Sequence, residues 1–259
     1  MEAYDHLAAA RAKGRPSGLS YIQNIFTDFM EMHGDRRFGD DKALVTGIAL
    51  LDGMPVTVIA NEKGGNTKER VRRNFGSAHP EGYRKALRQM KLAEKFDRPV
   101  ICFVDTAGAF CGISAEERGE GQAIAENLME MMTLRTPVVS VFVGEGGSGG
   151  ALALAVADEV WMMENACYSV ISPEGCASIL WKDSSKVREA AQCLKMTADD
   201  LFQLGAIERI IPESEDFGEV YGNLKEELYK VILQKKSIDK NRLLQQRYDR
   251  FRKFGAQQK

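Results

Sequence analysis

Apolar residues near the start of the chain recur with the 3.6-residue period of an α-helix. The positions that follow this period are Leu19, Ile22, Ile25, Phe26, Phe29 and Met30. Pro16 and Ser17, immediately upstream, are typical of a helix start. We therefore predict a helical N-terminal segment over residues 1–36.

Two β-rich runs follow, over residues 43–51 and 54–60. The pair Asp52-Gly53 separates them, and Asp-Gly is a favoured two-residue hairpin turn because both of its positions take positive φ angles. We therefore predict that the two runs form an antiparallel hairpin.

From residue 81 onward the pattern alternates between helix and strand. It predicts helices over residues 81–96, 114–134 and 149–157, and buried strands over residues 99–104, 137–143, 159–163 and 207–211. Thr197 and Gly205 are suited to begin and end a short helix over residues 198–204. Such alternation is typical of an α/β fold with a largely parallel sheet. The polar tail, residues 216–259, is predicted to be helical.

Composition fits one globular domain over residues 1–259. The chain is 44% hydrophobic and 28% charged, with a formal net charge of −2, so no basic field points to nucleic acid as the main partner. The longest apolar stretch, residues 137–157, contains Glu145 and several glycines, which argues against a membrane span. Asp5, His6 and Arg11 interrupt any signal-peptide pattern.

The cysteines show neither the number nor the spacing of a disulfide framework or a zinc site. They are Cys102, Cys111, Cys167, Cys176 and Cys193. No two are spaced as C-x-x-C, and their number is odd. We predict reduced thiols in a cytoplasmic protein and no metal site in this chain.

The most informative segment is residues 144–150 (GEGGSGG), which follow the predicted strand 137–143 and open the predicted helix 149–157. Glycines let the backbone turn tightly and approach a ligand closely. The first N–H groups of a helix lack internal acceptors, and the helix dipole favours negative charge there. This pattern predicts an anion or oxyanion site.

Two other chemistries match the same residues. Gly144, Gly146 and Gly149 fit the dinucleotide-binding fingerprint, with Glu164 placed as a ribose-binding acid, although the helix is short. Gly146-Gly-Ser148-Gly-Gly150 fits the nucleophile elbow of serine hydrolases. That alternative lacks a base, since all three histidines precede Ser148, and a helix-capping role suits this serine better.

A third alternative is an oxyanion hole without a covalent nucleophile. It needs two N–H donors from separate loops aimed at one oxygen. The strand 99–104 ends in a second small-residue turn, residues 105–112, followed by a helix that carries Glu116, Glu117 and Arg118. Ligands gather at the carboxyl ends of parallel strands, so we expect the two turns to meet.

A basic run lies between the hairpin and the helix 81–96. Its members are Lys63, Lys68, Arg70, Arg72 and Arg73. Such a run can contact phosphates or an acidic partner. A solvated loop or salt bridges at a subunit interface are the favoured interpretation.

Several long strings of the chain resemble the carboxyltransferase alpha subunits of bacterial acetyl-CoA carboxylase. They are residues 39–43 (GDDKA), 67–76 (TKERVRRNFG), 80–86 (PEGYRKA), 115–119 (AEERG), 144–152 (GEGGSGGAL) and 168–182 (YSVISPEGCASILWK). The resemblance runs from about residue 18 to the tail at residues 247–255. Two positions depart from the family pattern: Ala107 stands where proline is common, and Phe110 stands where tyrosine is also common.

The resemblance implies a crotonase-like fold of the ClpP/crotonase superfamily, a spiral of ββα units with helical N- and C-terminal extensions. It implies an α2β2 heterotetramer with a beta subunit that carries the zinc. It also implies biotin carboxylase and a biotin carboxyl carrier protein as partners in the full complex. The reaction would move the carboxyl group of carboxybiotin to acetyl-CoA and give malonyl-CoA, the committed step of fatty-acid synthesis.

The resemblance also implies roles for the two turns. The N–H groups of Gly108, Ala109, Gly149 and Gly150 would act as the catalytic donors to the ureido oxygen of biotin. Gly146, Gly147 and Phe110 would contact the cofactor. The alpha subunit would serve the biotin side of the reaction and the beta subunit the CoA side.

Overall fold

The computed structural model describes residues 1–255, which form one mixed β-sheet and twelve α-helices. The strands are β1 (Thr27–Glu31), β2 (Leu44–Leu51), β3 (Met54–Asn61), β4 (Val100–Thr106), β5 (Val138–Gly147), β6 (Glu159–Met163), β7 (Cys167–Ser169) and β8 (Arg209–Ile211). The first helices are α1 (Ala3–Ala10), α2 (Gly18–Ile25), α3 (Thr67–Arg72), α4 (Pro80–Lys95), α5 (Ile113–Glu117) and α6 (Glu120–Thr133). The others are α7 (Ser148–Leu152), α8 (Pro173–Leu180), α9 (Val187–Leu194), α10 (Ala198–Gln203), α11 (Phe217–Lys236) and α12 (Lys240–Arg252).

The sheet has the strand order β1-β2-β3-β4-β5-β6-β8, and β7 pairs with the last residues of β5. β1, β2 and β3 are antiparallel, whereas the neighbours from β3 onward are parallel. Asp52 and Gly53 both take positive φ angles, 47° and 78°, which confirms the predicted hairpin turn. The α/β class predicted from the sequence is therefore observed.

The core lies on the central parallel strands. Every residue of β4 is buried, and so are the first seven residues of β5. Strands in this position are covered on both faces, which explains why their sequences are continuous apolar runs rather than alternating ones.

The predicted helix in the N-terminal segment ends earlier than its apolar period suggested. α2 ends at Ile25, and Phe29 and Met30 lie in β1, so the prediction is wrong for residues 27–31. Asp28 takes a left-handed φ of 53°, which an α-helix does not allow, and β1 then pairs with β2 across an irregularity. Pairing with a strand from another part of the chain decides the structure here.

Two further predicted helices are shorter in the structure. The helix predicted over residues 114–134 is divided into α5 and α6 at Gly119, which has a φ of 83°. The helix predicted over residues 149–157 is only α7, five residues long. β5 is correspondingly longer, because residues 145–147 pair with β7 and Gly146 pairs with Thr106 of β4.

α11 and α12 lie within the tail predicted to be helical, of which residues 256–259 are outside the described range. Arg247 of α12 is 1% exposed and binds the carboxylate of Asp158 at 2.7 and 2.9 Å. Its guanidinium also donates to the carbonyls of Met131, Leu134 and Thr136. One arginine therefore ties α12 to the end of α6 and to the strands. Within residues 1–255, every helix is too short or too polar to cross a lipid bilayer.

Candidate functional site

The structure brings the two predicted turns together. β4 and β5 are parallel neighbours, so the segments that follow them leave the same edge of the sheet. A Cβ atom on Gly150 would overlap with the backbone nitrogen of Ala109 and come within 2.8 Å of the Gly108 carbonyl carbon. A Cβ atom on Gly147 would overlap with the carbonyl of Ala107. The two backbones therefore touch, and only glycine allows this approach. We call residues 107–110 and 147–150 together the glycine junction.

The other glycines of the segment pack inside the sheet. Gly146 is buried, and a Cβ atom there would overlap with the ring of Phe142. A Cβ atom on Gly144 would overlap with the carboxylate of Asp105. Gly146 is therefore required for packing, and its predicted contact with a cofactor stays a prediction.

The N–H groups of the 107–110 turn are not equivalent. Gly108 donates to Thr106 Oγ1 at 3.1 Å, and Phe110 donates to the Ala78 carbonyl at 2.9 Å. The N–H of Ala109 has no acceptor among the described residues, and Ala109 is only half-buried. Two donors were predicted on this turn. The N–H of Ala109 is free to bind a ligand, whereas the N–H of Gly108 is already hydrogen-bonded within its own loop.

Gly149 and Gly150 lie in the first turn of α7, where N–H groups have no acceptor within the helix. Gly149 is half-buried and Gly150 is buried. Together with Ala109, they are the candidate donors that the glycine junction offers to an anionic oxygen.

Ser148 has neither of the side-chain roles considered for it. The cap residue of α7 is Gly147, and no side-chain cap hydrogen bond forms, so the predicted capping role is wrong. Within residues 1–255 the histidine side chains bond to Asn165, Asp40, Asp41 and Asn74, and none bonds to Ser148. The nucleophile-elbow alternative therefore has no base beside its serine.

The dinucleotide-binding alternative also lacks its structural context. The fingerprint needs a glycine turn that opens a long helix. Here Gly144 and Gly146 belong to β5, and α7 has five residues. The Glu164 carboxylate, which would bind a ribose, accepts a hydrogen bond from the N–H of Glu213 at 3.0 Å.

The side chain of Phe110 packs against a histidine ring. Its ring stacks on that of His79 with 4.1 Å between centroids, and His79 Nδ1 lies 3.1 Å from Asp41 Oδ2. Asp41 is buried and also accepts hydrogen bonds from the N–H groups of Ala43 and Leu44. The turn that carries Ala109 is thus anchored to the N-terminal end of α4.

A charged network that sequence reasoning missed lies beside the junction. Lys63 Nζ is 2.6 Å from the buried carboxylate of Asp105 and 3.3 Å from that of Glu145. Arg11 joins Glu145 to Glu174, with 2.8 and 2.7 Å contacts. Burial raises the pKa of Asp105 and Lys63 opposes this rise. Arg11, Lys63, Asp105 and Glu145 line a polar cavity of about 230 Å³ together with Ala107.

Three members of the basic run form salt bridges within the chain. Glu69 of α3 pairs with Arg72 and Arg73, and Lys63 pairs as described above. Arg70 lines the polar cavity and donates to the carbonyl of Gly64. Lys63, Arg72 and Arg73 are therefore paired within the chain. The predicted role of the run as a solvated loop or at a subunit interface stays a prediction.

A second cavity, of about 370 Å³, opens on the other side of α7 and is mostly apolar. It is lined by Ser148, Gly149, Leu152, Tyr168, Ser169, Val170, Leu194, Lys195, Leu201 and Leu204. An apolar cleft with a few convergent polar groups is the usual form of a cofactor or substrate site. Among residues 1–255, no three His, Cys, Asp or Glu side chains are grouped as a metal site requires.

Comparison with known proteins finds a family model and relatives that match nearly the whole chain. A family model described as acetyl co-enzyme A carboxylase carboxyltransferase-like matches residues 1–255. The acetyl-coenzyme A carboxylase carboxyl transferase subunit alpha of Ruminiclostridium cellulolyticum is 63% identical over 256 residues, which is 98% of each chain. A protein of Clostridium tetani named for subunits beta/alpha is 51% identical over 98% of this chain and 45% of its own.

Solved structures share the fold at lower identity. The chain resembles a Pseudomonas malonate decarboxylase hetero-tetramer solved with coenzyme A, with a TM-score of 0.71, 20% identity, and coverage of 90% of this chain and 92% of that one. It resembles transcarboxylase 12S with a TM-score of 0.69, 20% identity, and coverage of 87% and 45%. The crotonase-like fold predicted from the sequence is thereby confirmed.

Proposed function

This chain belongs to the acetyl-CoA carboxylase carboxyltransferase alpha-subunit family, and on that premise we propose that its glycine junction is the biotin side of the carboxyl-transfer site. The reaction converts acetyl-CoA to malonyl-CoA, which commits carbon to fatty-acid synthesis. The observation that carries the proposal is the contact between the turns at Ala109 and Gly150. It places the free N–H of Ala109 beside the first turn of α7.

Carboxybiotin, delivered on its carrier protein, would supply the carboxyl group to acetyl-CoA and take up the proton that the acetyl group loses, with negative charge developing on its ureido oxygen. The N–H groups of Ala109, Gly149 and Gly150 donate to that oxygen. They stabilise the negative charge that develops there, and their positions are fixed before the reaction by the packing of the junction. Each such donor contributes a factor on the order of 10²–10³ to the rate.

The residues of the junction fit a biotin ring. Gly147 and Gly150 have no side chains that would fill the cradle, and the apolar cavity beside Gly149 suits the ring and its aliphatic arm. Gly146, Gly147 and Phe110 then shape the cradle rather than donate. In this proposal the ion pair of Lys63 with Asp105, which lines the polar cavity, fixes the shape of the turn.

The CoA side of the site is proposed to come from a beta subunit, which would also carry the zinc. The related chain of Clostridium tetani, named for subunits beta/alpha, supports this partner. We propose an α2β2 heterotetramer that works in the cytoplasm with biotin carboxylase and the biotin carboxyl carrier protein. The cysteines, all unpaired in the structure, suit a reducing compartment.

The function is tested by the reverse reaction, the decarboxylation of malonyl-CoA in the presence of free biotin. The alpha chain and a beta subunit of the family are assayed separately and as a mixture. We expect turnover only in the mixture. Turnover by the alpha chain alone, or none in a mixture shown by sedimentation to assemble, contradicts the proposal.

The role of Ala109 needs a change that removes its N–H and adds no atom. Replacement of the peptide bond between Gly108 and Ala109 by an ester does this. We expect kcat to fall by a factor on the order of 10²–10³, with a small change in KM, because the donor acts on charge that develops in the transition state. The matched control is an ester at Gly14, which has open space around it. Equal kcat values for the two esters contradict the assignment.

A further inference from the structure

A buried acid with no partner lies at the start of α6. Glu120 is 3% exposed, and neither of its carboxylate oxygens has a hydrogen-bond partner among the described residues. Tyr83 Oη and Asn127 Oδ1 share this condition. Buried polar atoms are nearly always paired in folded proteins, so three side chains with unpaired polar atoms on two adjoining helices call for an explanation.

These side chains lie directly behind the glycine junction. Tyr83 of α4 is fully buried, and a Cβ atom on Gly150 would come within 2.8 Å of its Oη. On α6, a Cβ atom on Gly149 would meet Ile124 at 3.6 Å, and Asn127 Nδ2 donates to the Ala153 carbonyl at 3.2 Å. Residues 120, 124 and 127 are spaced to share one helical face. That face of α6 supports α7 and with it the candidate donors.

The charges around Glu120 disfavour its ionised form. Burial is the main cause, and the carboxylates of Asp41, Glu116 and Glu81 add to it, so that the pKa of Glu120 rises to about 8. Arg84 opposes the rise. The dipole of α6 favours a negative charge at this position, but this effect is small beside the cost of burying an unpaired charge. α7 contributes no titratable side chain, since it consists of Ser, Gly, Ala and Leu.

The nearby cations are already committed to other acceptors. Arg84 donates to Asp35, to Glu81 and to the carbonyl of Arg118. Arg118 donates to Glu81 and to the carbonyl of Ser114. A negative charge on Glu120 would therefore lack a partner inside the protein, and unpaired buried charges are strongly unfavourable.

We propose that Glu120 is a positioning residue, which must carry its proton for α6 to hold α7 and the glycine junction in the shape that carboxyl transfer needs. Ionisation draws the first turn of α6 toward water, which loosens the contact of Ile124 with Gly149. This inference rests on the proposed function for its effect on turnover, although the proton on Glu120 can be measured without it.

The test compares kcat of the assembled alpha and beta subunits from about pH 6 to about pH 9. Wild-type kcat falls with a midpoint near the pKa of Glu120, about 8. Glu120→Gln, whose amide stays neutral, keeps turnover at neutral pH and loses this fall. The matched control is Glu117→Gln on the exposed side of α5, which retains the fall. If Glu120→Gln shows the same alkaline fall as wild type, the inference is overturned.

A second measurement uses the alpha chain alone. Because the pKa of Glu120 is raised on folding, the folded chain holds a proton that the unfolded chain has lost between about pH 4.5 and about pH 8. The contribution of Glu120 to the free energy of unfolding is therefore greatest at the acid end of this window and falls as the pH rises. We expect urea unfolding to show a weaker pH dependence in Glu120→Gln than in wild type and in Glu117→Gln.

Carbon-13 NMR of glutamate-labelled wild-type chain covers the case in which the variant does not fold. One carboxyl signal that titrates near pH 8 supports the inference, and its absence overturns it. The two proposals can also fail separately. A mixture that is inactive at every pH contradicts the proposed function, whereas an active mixture in which Glu120 titrates in the ordinary acid range contradicts only the role of Glu120.

Discussion

Ser148 makes the sharp turn between β5 and α7, with a left-handed φ of 48°. Gly147 before it has φ −96° and ψ 118°, a conformation open to any residue. Gly147 and Gly150 are thus needed for their missing Cβ atoms rather than for unusual backbone angles. Left-handed conformations of non-glycine residues are strained, but several turns of residues 1–255 share this one, including Asp52 of the hairpin, so the angle by itself does not mark a site.

Gly150→Ala is expected to damage catalysis through a single methyl group. That group would overlap with Ala109 N and approach Tyr83 Oη at 2.8 Å, so the 107–110 turn must shift. Shifts of about 1 Å at an active site can lower rates by about 10²-fold. We expect a loss of kcat of this order, measured in the malonyl-CoA decarboxylation assay with the assembled complex.

Gly222→Ala is the matched control for this change. Gly222 lies in α11 with open space around it, so its new methyl group meets nothing. Replacing glycine by alanine within a helix stabilises it by about 0.5–1 kcal/mol, which urea unfolding can measure. Equal activity of the Gly150 and Gly222 variants would show that the two turns need not touch.

At the scale of elements, local sequence patterns correctly predicted the turns and strands that depend on local chemistry. The Asp52-Gly53 turn and the buried runs of β4 and β5 are examples. The failures depend on distant partners: β1 exists because it pairs with β2, and β5 extends to Gly147 because β4 and β7 pair with its glycines. No periodicity within either segment contains that information.

Arg247→Ala is expected to loosen α12 and destabilise the whole chain. The change leaves the buried carboxylate of Asp158 without its partner and removes donors from the carbonyls of Leu134 and Thr136. Removal of one member of a buried ion pair typically costs about 3–5 kcal/mol. Urea unfolding should show a fall of this size in the free energy of unfolding.

Arg242→Ala tests whether any arginine of α12 has this effect. Arg242 is exposed, and its side chain has no ion pair among the described residues. Exposed substitutions of this kind usually change stability by less than about 0.5 kcal/mol. A similar loss in both variants would contradict a special role for Arg247.

At the scale of the whole molecule, the sequence indicated where the site lies but not how its charges pair. The two small-residue turns could be predicted to meet because both follow parallel strands. The network of Arg11, Lys63, Asp105 and Glu145 could not, because its ion pairs join residues up to 134 positions apart. The raised pKa of Glu120 likewise depends on its burial and on charged neighbours from three separate segments.

The state of the thiols gives a prediction for the molecule as a whole. All five cysteines are unpaired, and only Cys111 and Cys193 are exposed. We expect an alkylating reagent to modify these two in the native chain and all five after denaturation, as counted by mass spectrometry. The temperature of unfolding should not change with a reducing agent. If either exposed thiol reacts only slowly in the native chain, and a reducing agent does not speed its reaction, the result contradicts the structure.

The ion pair of Arg247 with Asp158 has a consequence for biosynthesis. Asp158 leaves the ribosome 89 residues before its partner, along with the strands on either side of it. Until α12 emerges, that carboxylate lacks its charged partner, and burying it unpaired is unfavourable. We therefore expect the apolar surface around Asp158 to stay incompletely packed while residues 159–247 are synthesised, and chaperone binding is expected in this interval.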